Sequence, residues 1–431
     1  MPDNMLFHHP PLELTESSVS DARGTLHLDN LPNPNPHCQI RLTHTTPLME
    51  RLWRIALSNI EKNRVEAEGI SYFGAGSQFG PMVYTRDISY SGILGLNDLY
   101  PDTVLSSIKH TRKLRRELGF RVSKGYGIHE IDVPWIEENL DESDYKKRYN
   151  TNSYTRRTDD VIWIWCAWDL FTKQGSNADW AWLYRNGQEF FTDFYHPFYD
   201  TTDGLYFGQA SFIDIHFPDN KTSGYPQDWS IADCVLIKSL STNCLYVIAL
   251  HAMADAAKRL GKFTEAETWQ TQCECLKQSI RKELSFADGS FTYFKDRWGN
   301  LQNRREALGS ALVVISEVVE GDEAKRALFT YPLTDGGVPL FHPFFEGDKW
   351  YHNHSSWPFV DTLFIKALEL SDGIDRSAQN AALLARTCVD DGSFHEVSDY
   401  RNREVKGSSS QLWTAASFID LCRRGGLFHP S

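Results

Sequence analysis

Residues 241–264 read STNCLYVIALHAMADAAKRLGKFT. The first seventeen are apolar or small on every side of a helical wheel, which is the pattern of a helix packed on more than one face. LGKFT at 260–264 then turns the chain, and a second, more polar helical pattern runs over 263–285. A short turn between two such segments makes an antiparallel helical hairpin with one inward and one outward member.

The same arrangement recurs along the chain. Apolar spacings of three and four with their caps predict helices near 47–65, 87–99, 101–118, 158–174, 178–194, 232–260, 263–285, 303–318, 321–329, 354–371, 375–389 and 408–424. Short turns at 99–102, 173–179, 260–264, 319–323 and 370–375 alternate with long connections at about 66–86, 119–157, 195–231, 286–302, 330–353 and 390–407. Each long connection precedes a helix of the inward kind, as in REALGSALVVIS (305–316) and SSSQLWTAASFIDL (408–421). An all-α fold, an (α/α)6 barrel over 46–431 with a short N-terminal arm over 1–45, accounts for that alternation. An α-solenoid would need a repeating consensus and short loops throughout, and the sequence has neither.

Bulk composition narrows the partners. The chain has 431 residues, 41% of them apolar, enough for a large core, and a net charge of −13 with no basic block. Nucleic acid and an anionic membrane are therefore poor partners. Thirteen Trp and eighteen Tyr suit a cleft in which indole faces cover sugar C–H faces, although a Trp-rich core would use them too. The eight cysteines sit mostly in apolar helical stretches and read as free thiols. The N-terminus has no basic start followed by an apolar run, so a cytoplasmic location is expected. The sequons at Asn220 and Asn353 are short enough to occur by chance.

If six loops share one rim, their polar residues decide the chemistry. The first loop brings Tyr84, Arg86 and Asp87 to the start of an inner helix, where the aspartate could cap the helix or hold a ligand. The second ends on Asp159 and Asp160, one of them a probable cap, before a helix carrying Trp163 and Trp165. In the third, Asp214 stands among Phe212, Ile213 and Ile215, neighbours expected to raise its pKa and keep it protonated as a general acid; Asp228 is the second candidate. The fifth contributes His352, His354 and Trp357, with no cysteine or carboxylate at metal-ligand spacing. The sixth brings Asp390, Asp391, Glu396 and Asp399, then hands over to the helix with Trp413. A carboxylic acid from the third loop facing the Glu396 carboxylate from the sixth is the arrangement glycoside hydrolysis requires, with room between them for water and hence inversion. No cofactor is needed.

These residues also carry a likeness. The chain resembles the six-hairpin glycosidases over residues 47–428, and is similar to the group containing processing α-glucosidase I, trehalase and the mannosylglycerate hydrolases. MVYTRDISYSGILGL (82–96) resembles the segment whose aspartate contacts the sugar in the first subsite, which implies that role for Asp87. YHNHSSWPFVDTLFIKAL (351–368) resembles the Tyr-X5-Trp-Pro stretch of the pocket wall. SFHEVSDYRNREVKGSSSQLWTAA (393–416) resembles the stretch with the catalytic base, which implies Glu396. The chain departs from the family at the acid, where SFIDIHF and GYPQDW stand in place of a Gly-X-Asp-Asn-Ser-Pro-like string. The resemblance also leads one to look for the large N-terminal β-sandwich that many relatives carry; none is read in these 431 residues, so the pocket is expected to be closed by its own loops or by a second copy of the chain. Two rivals share the features above: a sugar epimerase using paired histidines, and a sugar-binding protein without catalysis. A lyase of uronic acid polymers is disfavoured by the acidic rim.

Overall fold

The computed structural model describes residues 12–21, 23–67, 69–123, 157–194, 198–214, 224–229, 233–234, 236–346, 351–388 and 391–428, with 114–123, 157–160 and 193–194 described by backbone alone. Helices dominate. In chain order they are α1 Pro47–Lys62, α2 Thr85–Ser91, α3 Pro101–Ser123, α4 Arg157–Gln174, α5 Asn177–Glu189 and α6 Leu240–Arg259, followed by α7 Phe263–Glu283, α8 Ala307–Ile315, α9 Gly321–Phe329, α10 Pro358–Asp372, α11 Ser377–Arg386 and α12 Leu412–Arg424.

The opening stretch shows why two kinds of helix arise. Helix α6 is buried nearly all round, from Leu240 to Ala257. Its partner α7 buries only Cys273, Leu276 and Ile280, a single stripe at spacings of three and four. Gly261 makes the turn between them with φ of +73°, a conformation that side chains other than glycine resist. Even-numbered helices form a circuit of contacts: α2 packs on α4, α4 on α6, α6 on α8, α8 on α10, α10 on α12, and α12 returns to α2. Each odd-numbered helix backs one of them, α3 on α2, α5 on α4, α7 on α6, α9 on α8, α11 on α10 and α1 on α12.

Short strands join neighbouring loops. After β1 Glu13–Leu14, β2 Ser18–Asp21, β3 Gly24–His27, β4 Arg64–Ala67, β5 Ile70–Phe73, β6 Tyr199–Asp200 and β7 Leu205–Tyr206 come β8 Lys238–Ser239, β9 Phe294–Lys295, β10 Arg305–Glu306, β11 Phe341–His342, β12 Ser355–Ser356, β13 Val397–Asp399 and β14 Val405–Lys406. Antiparallel β8 and β9 join the third loop to the fourth, β10 and β11 the fourth to the fifth, and β12 and β13 the fifth to the sixth. The sixth loop is tied to the first by Leu412 N–H donating to the Ala75 carbonyl at 2.8 Å and Ser77 N–H to the Ser409 carbonyl at 3.0 Å. These ties hold the loops edge to edge.

They also correct several helix starts. The helix expected from 232 begins at Leu240, that from 303 at Ala307, that from 354 at Pro358 and that from 408 at Leu412. In the first three cases the residues just before the helix are strand residues, whose backbone hydrogen bonds go to a neighbouring loop; before Leu412, Gln411 N–H donates to the Phe394 carbonyl at 2.9 Å. The helical run expected over 87–99 starts at Thr85 and does reach Leu99, but with a π-turn over Gly92–Leu96 between Thr85–Ser91 and Asn97–Leu99. The described part of the N-terminal stretch forms the β1–β2–β3 meander, which packs on α11. Buried Asp21 accepts there from Arg386 at 3.1 Å and from Arg403 at 3.0 Å. Among the described residues no helix is long and apolar enough to cross a membrane.

Candidate active site

Residues from the first turn of α2 and from the third, fifth and sixth loops gather at the loop-bearing ends of the even-numbered helices. Arg86, in the first turn of α2 and 7% exposed, donates from Nη1 to Asp214 Oδ1 at 2.9 Å and from Nε to Asp87 Oδ2 at 3.2 Å. Glu396 is 4% exposed. Its Oε1 accepts from the Tyr351 hydroxyl at 3.0 Å, and its Oε2 from the Ser408 N–H at 3.0 Å. Glu396 N–H donates in return to the Ser408 carbonyl at 3.0 Å, so the carboxylate is fixed to a paired backbone. Gly407 makes this possible, because it has φ of +77° and a Cβ there would lie 2.4 Å from Glu396 Oε2.

Electrostatics links the groups. Burial pushes the Glu396 carboxyl above its ordinary range; the donors Ser408 and Tyr351 pull it back, the Asp214 charge raises it and the Arg86 charge lowers it. Burial, then the charges of Glu396 and Asp214, hold the Tyr351 hydroxyl well above its usual value, so it stays a proton donor. Arg86 thus holds Asp87 and Asp214 directly, and its charge reaches Glu396, whose burial favours the protonated form. The arrangement can therefore present one acid and one base to a bound molecule.

An aromatic wall supports the cluster. Tyr351 stands edge-on to Trp357 at 5.2 Å, Phe212 meets Trp357 at 5.1 Å and Phe359 at 5.0 Å, and Phe359 lies flat on Trp413 at 4.4 Å. Phe212 takes φ of +57°, a left-handed conformation that for a bulky residue costs about 1–3 kcal/mol. That turn comes two residues before Asp214.

No protein-family model matches the sequence, and no curated protein matches it significantly. Solved structures do match. One is a glycosidase variant in complex with glucose, 15% identical, covering 88% of this chain and 97% of its own, with a TM-score of 0.60. The chain shares the fold of known glycosidases. A metal-independent alpha mannosidase of Streptococcus pneumoniae, in a non-productive complex with alpha-1,6-mannobiose, is 13% identical over 88% of this chain and 94% of its own, with a TM-score of 0.55. A GH78 family rhamnosidase of Bacillus is 14% identical over 92% of this chain but only 36% of its own, with a TM-score of 0.56.

The remaining candidates separate. Asp214 does not have the purely apolar setting expected of it: Phe212 and Ile213 are buried, but the carboxylate itself turns to Arg86. Asp228 lies exposed in the segment 224–229, whereas Arg86, Asp87 and Glu396 are buried. Trp163, expected to face a ligand, is core: it packs edge-on against Trp182 at 5.5 Å and lies under the Arg112 guanidinium at 5.3 Å. Trp357 and Trp413 are 1% and 2% exposed, so they brace the wall instead of offering an open indole face. Tyr84 is buried and edge-on to Phe79 at 5.5 Å. His352 is stacked on Trp357 at 5.3 Å, His354 lies against Phe344 at 4.7 Å, and His395 bonds Asp391 at 3.0 Å. The side chains of Asp159 and Asp160, and the whole of Asp390, lie outside the described residues. Tyr351 and Ser408, which hold Glu396, were not singled out as its partners from sequence; Tyr351 is the tyrosine of the Tyr-X5-Trp-Pro stretch, but nothing there pairs it with Glu396, and Ser408 acts through its backbone.

Proposed function

We propose that this chain is a glycoside hydrolase built on an (α/α)6 barrel, cleaving a small saccharide or glycoside by inversion. The observation that carries the reading is the cluster in which Arg86 joins Asp87 to Asp214 while buried Glu396 is held by Tyr351 and Ser408. The circuit of even-numbered helices supports the barrel, and the glycosidase fold of the neighbours supports the reaction class.

In this reading Asp214 is the general acid. For that role it carries a proton on the oxygen that Arg86 does not hold, against the Arg86 charge, which favours the ionised form. That proton passes to the glycosidic oxygen as its bond to the anomeric carbon breaks. Glu396 is the general base and takes a proton from the water whose oxygen forms the new bond on the opposite face. Its moderately raised basicity suits that task, and Tyr351 and Ser408 keep both oxygens aimed. Asp87 and Arg86 contribute acceptors and donors to the sugar in the cleavage subsite, and His354 lies at its edge. No cofactor or metal takes part in the proposed steps, a second copy of the chain could complete the pocket, and the cytoplasm is its proposed location. Proton NMR of a panel of aryl glycosides and disaccharides tests the function: a new reducing end of inverted anomeric configuration is expected. Interconversion of free sugars without a new reducing end would mean an epimerase, and saturable binding without product a binding protein.

A further inference from the structure

Among the described residues, Trp298 is one of the most exposed large apolar side chains. It is 61% exposed at the tip of a hairpin in the fourth loop. Asp296 Oδ1 accepts from the N–H groups of Trp298 and Asn300 at 2.9 and 2.8 Å, Asp296 N–H donates to the Asn300 carbonyl at 2.9 Å, and Asn300 Nδ2 donates to Asp296 Oδ2 at 3.0 Å. A self-bonded turn therefore holds the Trp298 backbone at the tip with its indole in solvent, where leaving it uncovered forgoes the stabilisation of burying a large apolar surface. Trp229 of the third loop stands edge-on to it at 5.9 Å, and the Arg297 guanidinium lies 5.7 Å from its ring and bonds Asp233 at 3.0 Å. Exposed Gln227 and Asp228 flank Trp229.

We propose that Trp298 and Trp229 form an outer saccharide subsite, which receives a sugar unit remote from the bond being cleaved. The inference rests on the glycoside hydrolase reading above. Its position on the rim carries it. Rings lead inward from Trp229 to Phe294 at 5.3 Å and from Phe294 to Tyr225 at 6.3 Å, and the Tyr225 hydroxyl reaches the carbonyl of Ile213, the residue before Asp214. Two buried rings, Phe294 and Tyr225, thus stand between Trp229 and the Asp214 segment, so the pair addresses a distal unit. Two indoles offer apolar surface for sugar C–H faces, and Arg297, Gln227 and Asp228 offer donors and acceptors for hydroxyls, the mixture that saccharide sites combine.

The test compares Trp298→Ala with the parent protein, both carrying Glu396→Gln to suppress turnover. Glucose, mannose, maltotriose and mannotriose are titrated while intrinsic tryptophan fluorescence and heat of binding are followed. The subsite predicts that trisaccharide affinity falls about fivefold to tenfold, the scale of one aromatic stacking contact. Monosaccharide affinity is unchanged, and Trp298→Tyr recovers most of the loss. Identical behaviour of the two proteins toward every probe, binding or none, overturns the subsite, as does an equal loss on monosaccharides. A change of oligomeric state in Trp298→Ala would overturn it too, by making the indole a contact between copies. None of these outcomes bears on the acid–base pair, which is tested by turnover.

Discussion

Glu396 is held by donors on both oxygens, and that makes its acidity adjustable one contact at a time. Removing the Tyr351 hydroxyl deletes a donor that favours the ionised form while leaving burial, which favours the protonated form, in place. The base then loses its proton at higher pH. We expect Tyr351→Phe to move the acid limb of the kcat/KM profile upward by about one pH unit, with turnover at the optimum less affected. A profile that does not move would show that the hydroxyl does not act on the base. At this scale the sequence was partly legible. Glu396 was readable from its loop and from the Trp-bearing helix after it. The Arg86 partner of Asp214 was not, because 128 residues separate them and nothing in either loop specifies the pairing.

Elements were legible wherever their own periodicity decides them and illegible where a neighbouring loop does. The alternation of buried and half-exposed helices follows from patterning alone, as α6 and α7 show. Four helix starts were placed too early because the preceding residues give their backbone bonds to another loop, a tertiary preference that overrides local propensity. Helix α1 does similar work from outside the circuit. Asn59 Oδ1 accepts from Phe394 N–H at 2.8 Å, and one turn later Asn63 Nδ2 donates to the Ser410 carbonyl at 2.6 Å, so α1 grips both feet of the loop that bears Glu396. Asn59→Ala should leave a buried N–H unpaired and cost about 1–3 kcal/mol in urea unfolding. Unchanged stability would mean that the loop is held by its strands alone.

Among the described residues, two buried acids that the proposed chemistry does not use are held above the ordinary carboxyl range. Burial raises Glu306 to about 8 and Asp361 to about 7. Both lie at the loop-bearing ends of their helices, Glu306 just before α8 and Asp361 in the first turn of α10. In the unfolded chain they ionise in the ordinary carboxyl range, so between about pH 4.5 and 8 the unfolded state binds fewer protons than the folded one, and stability falls as pH rises. Glu306→Gln should flatten that slope and raise stability at pH 8 by roughly 2–4 kcal/mol, read from denaturant midpoints. A slope identical to that of the parent would show that Glu306 is not the group responsible.

The central claim concerns Asp214 and Glu396 together, and turnover tests it most directly. Once a cleaved glycoside is in hand, its hydrolysis is measured in Glu396→Gln beside the parent protein, with circular dichroism and ligand binding as controls. The account predicts that fold and binding are retained while turnover falls by about 10²- to 10⁴-fold. Turnover equal to that of the parent would contradict it.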